Sequence, residues 1–164
     1  MAEQPLEGTP MGARLKRVVM RSIDEAVSCG ASSVEAEHLL LSISANDDLA
    51  SRTLAEFGLD HAGIESVLRA ERERSLRAAG VEPVAEERLR STRGSRPIWG
   101  ASIRDALRRA DFRSARDRSR TEREPMAVVG ALLGILRADL GTVPRALAYA
   151  SVDRAALIAR LEQL

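Results

Sequence analysis

Apolar residues recur three and four places apart along most of this chain, and that helical period appears twice in the same order. Leu15, Val18, Val19, Ser22, Ile23 and Ala26 mark a first amphipathic helix, stopped by Gly30. Ser32 and Glu35 have capping-box spacing ahead of a second helix that carries Leu39, Leu40, Leu41 and Ile43. Asp47 or Asp48 caps a third with Leu49, Leu54 and Phe57, ended by Gly58. Asp60 opens a fourth, with Ile64, Val67 and Leu68 inward, and strong helix formers extend it to about Ala79.

The second half starts the cycle again. Ile103, Ala106, Leu107 and Ala110 form an amphipathic helix, and Pro125, suited to a first helical turn, begins an apolar one with Val129, Leu132, Leu133 and Leu136. Gly141 and Thr142 interrupt it, and Ser151 or Asp153 caps a last helix with Leu157, Ile158 and Leu161. Leu15 and Val19 match Ile103 and Leu107 at an offset of 88, and Leu40, Leu41 and Ile43 match Leu132, Leu133 and Ile135 at 92. Between Arg52 and Leu68, six of seventeen residues equal those 93 places later. The drift from 88 to 92 puts four extra residues in a loop around 118–124.

No alternating β-branched run asks for a sheet. The expectation is an all-α fold of about eight helices, a duplicated four-helix repeat with pseudo-twofold symmetry. Its parts are a leader at 1–10, a first repeat at 11–70, a charged helical extension and linker at 71–98, and a second repeat at 99–164. Within the linker, 91–97 reads as a mobile segment.

Composition then removes function classes. A chain of 164 residues buries about 70% of its unfolded surface, so it needs no metal or disulfide staple. One cysteine, Cys29, excludes an internal disulfide and a four-cysteine zinc site. Of the 25 basic residues, Lys16 is the only lysine. A nucleotide-binding P-loop needs a lysine after its glycines, and Lys16 lies in the first helix, so ATP hydrolysis by that device is excluded. The most apolar stretch, 126–136, is about half a membrane span. The acidic, turn-rich start does not read as a signal peptide, which makes the cytoplasm the expected compartment.

Catalytic groupings are weak. Cys29 and His38 are the one Cys–His pair available, and nothing marks Cys29 as an ionised nucleophile. His61 beside Asp60 reads as a solvated cap neighbour, and two histidines and one cysteine make no transition-metal site. The expectation is no enzyme, no cofactor and no metal.

The string Val34-Glu35-Ala36-Glu37-His38-Leu39-Leu40-Leu41 resembles the "T-E-H-L-L-L" signature of the Clp N-terminal domain, a duplicated four-helix repeat at the front of Clp-type AAA+ unfoldases. Arg14-Leu15-Lys16-Arg17-Val18-Val19 resembles that family's "R-A-x-x-V-L" start, and Leu54-Ala55-Glu56-Phe57-Gly58-Leu59-Asp60 its "L-x-x-L-G-V-D" turn. The resemblance covers roughly 11–164 and is strongest in the first repeat. The family's ATPase modules lie outside this domain, so the chain reads as a stand-alone domain or an excised one; Met1 and the acidic leader favour the former.

The resemblance implies a receiver for substrates and adaptors, in some relatives for phosphorylated arginine. It assigns a guanidinium-holding glutamate to Glu37 and a phosphate-holding threonine to the position of Gly12. In the second repeat these positions fall on Val129 and Gly100, so one carboxylate of two remains and neither hydroxyl, which argues against two-site phosphoarginine binding. A backbone amide at Gly12 still offers an anion contact. Met11 and Trp99 stand where relatives often carry phenylalanines near a groove between the repeats. His38, followed by Leu39 and Leu40, reads as a structural histidine inside the repeat.

The expected function is a non-catalytic peptide- or protein-binding module for a separate Clp-type unfoldase-protease, as adaptor or decoy; its partners are the unfoldase, its adaptors or tagged substrates. The alternative is a basic nucleic-acid-binding regulator. Residues 69–123 hold 16 arginines against nine acidic residues, about +7. Interspersed signs, as in Arg72-Glu73-Arg74, and only two aromatics there, Trp99 and Phe112, argue against it.

Overall fold

Two helices with little polar surface organise the fold, because a helix apolar on every side must be wrapped by others. The structure, a computed structural model, describes residues 12–83, 96–110, 112 and 118–164. Among them it contains α1 (Ala13–Ser28), β1 (Ser33–Val34), α2 (Ala36–Ser44), α3 (Leu49–Glu56), α4 (His61–Ala78), β2 (Ile98–Trp99), α5 (Ala101–Arg109), α6 (Arg120–Leu136), α7 (Thr142–Tyr149) and α8 (Arg154–Glu162). The fold is all-α, with eight helices among the described residues and four in each half of the chain. The enclosed pair is α2 and the C-terminal part of α6, where Leu39, Leu40, Ile43, Leu132, Ile135 and Leu136 are almost wholly buried. Helix α1 packs on α2, α5 packs on α6, and α4 lies against α7 from the other half.

The six α1 positions singled out by periodicity are its buried residues. Asp48, Asp60 and Asp153 cap α3, α4 and α8, each carboxylate accepting an amide N–H from three residues ahead. Helix α4 ends at Ala78, one residue short of expectation. Ile64 is buried as expected, whereas Val67 and Leu68 are only partly covered.

Three expectations need correction. Glu35, not Ser32, is the N-cap of α2, and His38 reaches back to its amide. The residues between Ser32 and Glu35 form one side of a short parallel strand pair, with Ser33 opposite Ile98 and Val34 opposite Trp99. Pairing over two residues leaves no room for an alternating signature. Helix α6 begins at Arg120, so Pro125 is inside it and much of the expected loop at 118–124 is helical. As the sixth residue of the helix, Pro125 has no amide N–H to give to the Thr121 carbonyl, so one ladder hydrogen bond is missing there. The greater part of the expected linker, residues 84–95, and Met11 lie outside the described residues.

The two halves use related contacts at matched positions. Ser42 on α2 donates its hydroxyl to the Val18 carbonyl of α1 at 2.7 Å. Its counterpart on α6 is Gly134, where a Cβ would collide with the carbonyl oxygen of Ala106 on α5. Ala106 stands 88 residues after Val18, the offset of the first-helix match. Gly134→Ala forces α5 away from α6 and is expected to destabilise the protein by about 1–3 kcal/mol, the usual scale for overpacking. A denaturant melt showing unchanged stability would refute this close approach.

Candidate functional site

The first amides of a helix lack intrahelical acceptors, and here each half supplies a carboxylate to a helix start of the other. The Glu35 carboxylate accepts from the Ser102 amide at 3.1 Å and the Ser102 hydroxyl at 2.5 Å, at the start of α5. The same hydroxyl accepts from the Ala36 amide of α2 at 2.8 Å, and Ser33 donates to Glu35 at 2.9 Å. Gly100, the N-cap of α5, lies against this carboxylate so closely that any side chain there would overlap it. In the other direction, Glu124 of α6 accepts from the Ala13 and Arg14 amides of α1 at 3.1 and 3.2 Å. Sequence reading offered the Gly12 amide to an anion; the two amides that follow it, of Ala13 and Arg14, already hold a carboxylate. Val129, at the second glutamate position, is buried in the core.

Glu37 and His38 follow directly on this junction, at the second and third residues of α2. They border a cavity of about 370 Å³ whose other walls come from the C-terminal end of α1, one side of α4 and Thr142 of α7. Glu37 and Thr142 also border a second cavity, of about 380 Å³, with Ser102, Asp105 and Arg109. Glu37 thus stands between two hollows. Burial raises its carboxyl above the ordinary range, and Glu35 and Glu71 push the same way; its own backbone amide and Arg72 oppose them. Among the described residues no ion pair engages it.

His38 is 4% exposed. Its Nδ1 accepts the Glu35 amide proton at 2.9 Å. An amide only donates, so Nδ1 is bare and the ring proton resides on Nε2. Burial lowers the imidazole to about 4, with Arg72 adding and Glu35 opposing, so the ring is neutral at pH 7.

Across the cavity, Glu71 is buried in α4 and holds Arg145 of α7 at 2.8 Å; Ser75 donates to it at 2.7 Å. Sequence reading missed Glu71, since it stands in an alternating Arg-Glu run that resembles a solvated face. Cys29 and His38 line the same cavity. Trp99 is half-buried against the core in the strand pair and borders neither cavity next to Glu37. His61 meets the Ser44 hydroxyl at 3.1 Å, tying α4 to the end of α2. Among the described residues no group of three His, Cys, Asp or Glu side chains is placed to hold a metal ion, and no helix is long and apolar enough to cross a membrane.

The titration of His38 has a measurable consequence. Its folded value lies below its unfolded one, so between pH 6.5 and about 4 the unfolded chain takes up a proton there that the folded chain refuses. Stability falls as pH falls through that window, by up to about 3 kcal/mol from this residue alone. Glu37, shifted upward, acts with the opposite sign. His38→Gln, which keeps an acceptor for the Glu35 amide, is expected to show a shallower loss of stability than wild type in melts between pH 7 and 4. Parallel pH profiles would contradict the buried, neutral ring.

No protein-family model matches the chain, and the comparison with curated proteins returns no match.

Proposed function

We propose that the chain is a non-catalytic protein- and peptide-binding module of the Clp N-terminal type, which works in the cytoplasm with a separate Clp-type unfoldase-protease. The observation that carries this reading is Glu37: a half-buried carboxylate without an ion pair among the described residues, set between two cavities at the start of the helix that bears the family-like motif. Four helices in each half, and the related contacts of Ser42 with Val18 and of Gly134 with Ala106, are what a duplicated unit requires.

Binding rather than catalysis is supported by His38. A ring neutral at pH 7 with its Nε2 already protonated cannot take a proton from Cys29 through that atom, and its low value makes it a weak base. Phosphoarginine is disfavoured as the ligand, because Glu35 and Glu124 already satisfy the helix-start amides that a phosphate would use.

Added to a reconstituted Clp unfoldase-protease, the protein is expected to change the rate of substrate degradation. Acceleration identifies an adaptor and slowing a decoy; an unchanged rate rejects the module. Glu37→Gln is expected to reduce the effect at least tenfold at equal concentration.

The nucleic-acid reading rests on one observation: Lys16, Arg17, Arg21 and Arg96 line a shallow groove along α1. Against it, several arginines of the basic stretch have intramolecular partners. Arg77 pairs with Glu73, Arg108 with Asp105, Arg74 stacks on Tyr149, and Arg109 donates to the Gly134 carbonyl. Duplex DNA titrated at two salt concentrations decides, since counterion release makes such binding weaken steeply with salt.

A further inference from the structure

The outer face of α1 carries an open groove of about 890 Å³ that shares no lining residue with the two cavities beside Glu37. It runs from Ala13 to Asp24, about 17 Å of helix at the usual rise per residue. Lys16, Arg17 and Arg21 line it from α1, and Arg96 borders it from the segment that leads into β2. All four are exposed.

These cations are not engaged within the fold. Arg52, Arg77, Arg108, Arg137, Arg145 and Arg160 each reach a carboxylate of the chain. Among the described residues, no hydrogen bond or ion pair holds the side chain of Lys16, Arg17, Arg21 or Arg96. Arg21 has Asp24 and Glu25 three and four residues ahead, within helical reach, and no ion pair joins it to either.

Their place on α1 is also unfavourable to the helix itself. Lys16 and Arg17 stand in its first two turns, and its first turn holds no acidic residue. A helix start carries partial positive charge, so cations there weaken the helix. Glu124 offsets part of this at the Ala13 and Arg14 amides. Arg17 and Arg21, four residues apart, add a like-charge repulsion. A face that breaks local rules with no gain inside the fold points to a use outside it.

The remaining lining residues select the kind of anion. Met20, 38% exposed, stands beside Arg21 and one turn from Lys16. Methionine is an adaptable apolar contact favoured at protein-binding surfaces, and a phosphate backbone gives it nothing to pack against. Asp24 lies at one end of the groove, where it repels a continuous row of phosphates. Among the described residues no aromatic side chain lines the groove to stack on a base. A protein segment with carboxylates on both sides of an apolar side chain meets all three conditions. Its carboxylates suit the forked guanidinium, its apolar group covers Met20, and an uncharged residue can lie at Asp24.

We propose that this face of α1 is a docking surface for an acidic protein segment, with carboxylates on Lys16, Arg17, Arg21 and Arg96 and an apolar side chain on Met20. The surface is separate from the Glu37 cavities, and the inference goes beyond the Clp-type reading and does not depend on it.

The test uses the full chain and a ten-residue peptide, labelled at its carboxyl end and followed by fluorescence anisotropy at physiological salt. Three glutamates flank each side of two central leucines, with a glycine at each end. This peptide is expected to bind. Replacing its glutamates by glutamine is expected to weaken binding at least tenfold, and replacing its leucines by serine at least threefold. On the protein, Arg17→Gln combined with Arg21→Gln is expected to weaken the acidic peptide at least tenfold. The melting temperature should stay the same or rise, because a like-charge pair is removed. Met20→Gln is expected to weaken binding at least threefold. The peptide comparisons use wild-type protein and stand even where a variant folds poorly. Equal affinity for the glutamate and glutamine peptides, unchanged binding by the double variant, or no binding at millimolar concentration overturns the docking surface. Equal affinity for the leucine and serine peptides overturns the protein segment as occupant, as does duplex DNA that binds more tightly than the peptide and is lost in the double variant.

Discussion

Carboxylates passed between the two halves of the chain fix how the helices start. The first amides of a helix carry partial positive charge and lack intrahelical acceptors. Glu35, from the first half, meets this need at α5, and Glu124, from the second, meets it at α1. Because Glu35 is also the N-cap of α2, its position decides where that helix begins and hence where Glu37 and His38 point. The strand pair follows from the same junction: Ile98 and Gly100 donate to the Ser32 and Val34 carbonyls as the chain approaches Ser102. A cluster of hydrogen bonds thus sets the register of the halves, and apolar burial supplies the bulk of the stability.

Arginine serves this architecture more by joining elements than by presenting charge. Arg145 reaches from α7 to Glu71 in α4, Arg160 from α8 to Glu56 in α3, and Arg118 to the Leu164 carbonyl at the end of the chain. The Arg160 pair is exposed on both sides, and such pairs contribute about 0–1 kcal/mol. The Arg145 pair differs, since Glu71 is buried and losing its partner would strand a charge in the interior. The forked guanidinium suits this role better than an ammonium does.

The helices and their aspartate caps were legible because both are local signals, a 3.6-residue period and a side chain bonding three residues ahead. The start of α2 was misread for the opposite reason. Glu35 finds its partner at Ser102, on the far side of the basic stretch, and no local spacing announces that. Pro125 misled because a proline is favoured at the first turn of a helix, and here the helix starts five residues ahead of it. At the candidate site, Glu37 and His38 were visible as a motif, but the hollow they border was not. It depends on the packing of α4 beside α2, and on Glu71 turning inward from a run of charges that looks solvated.

The single tryptophan has a place in this arrangement that gives it a reporting role. Trp99 lies in β2, hydrogen-bonded beside the fully buried Val34 of β1, at the one strand contact that ties the first half to the second among the described residues. The chain's indole emission is therefore a local gauge of whether its halves are docked. Far-ultraviolet circular dichroism follows the helices themselves. The two signals together separate parting of the halves from loss of helix, without a label or an engineered probe.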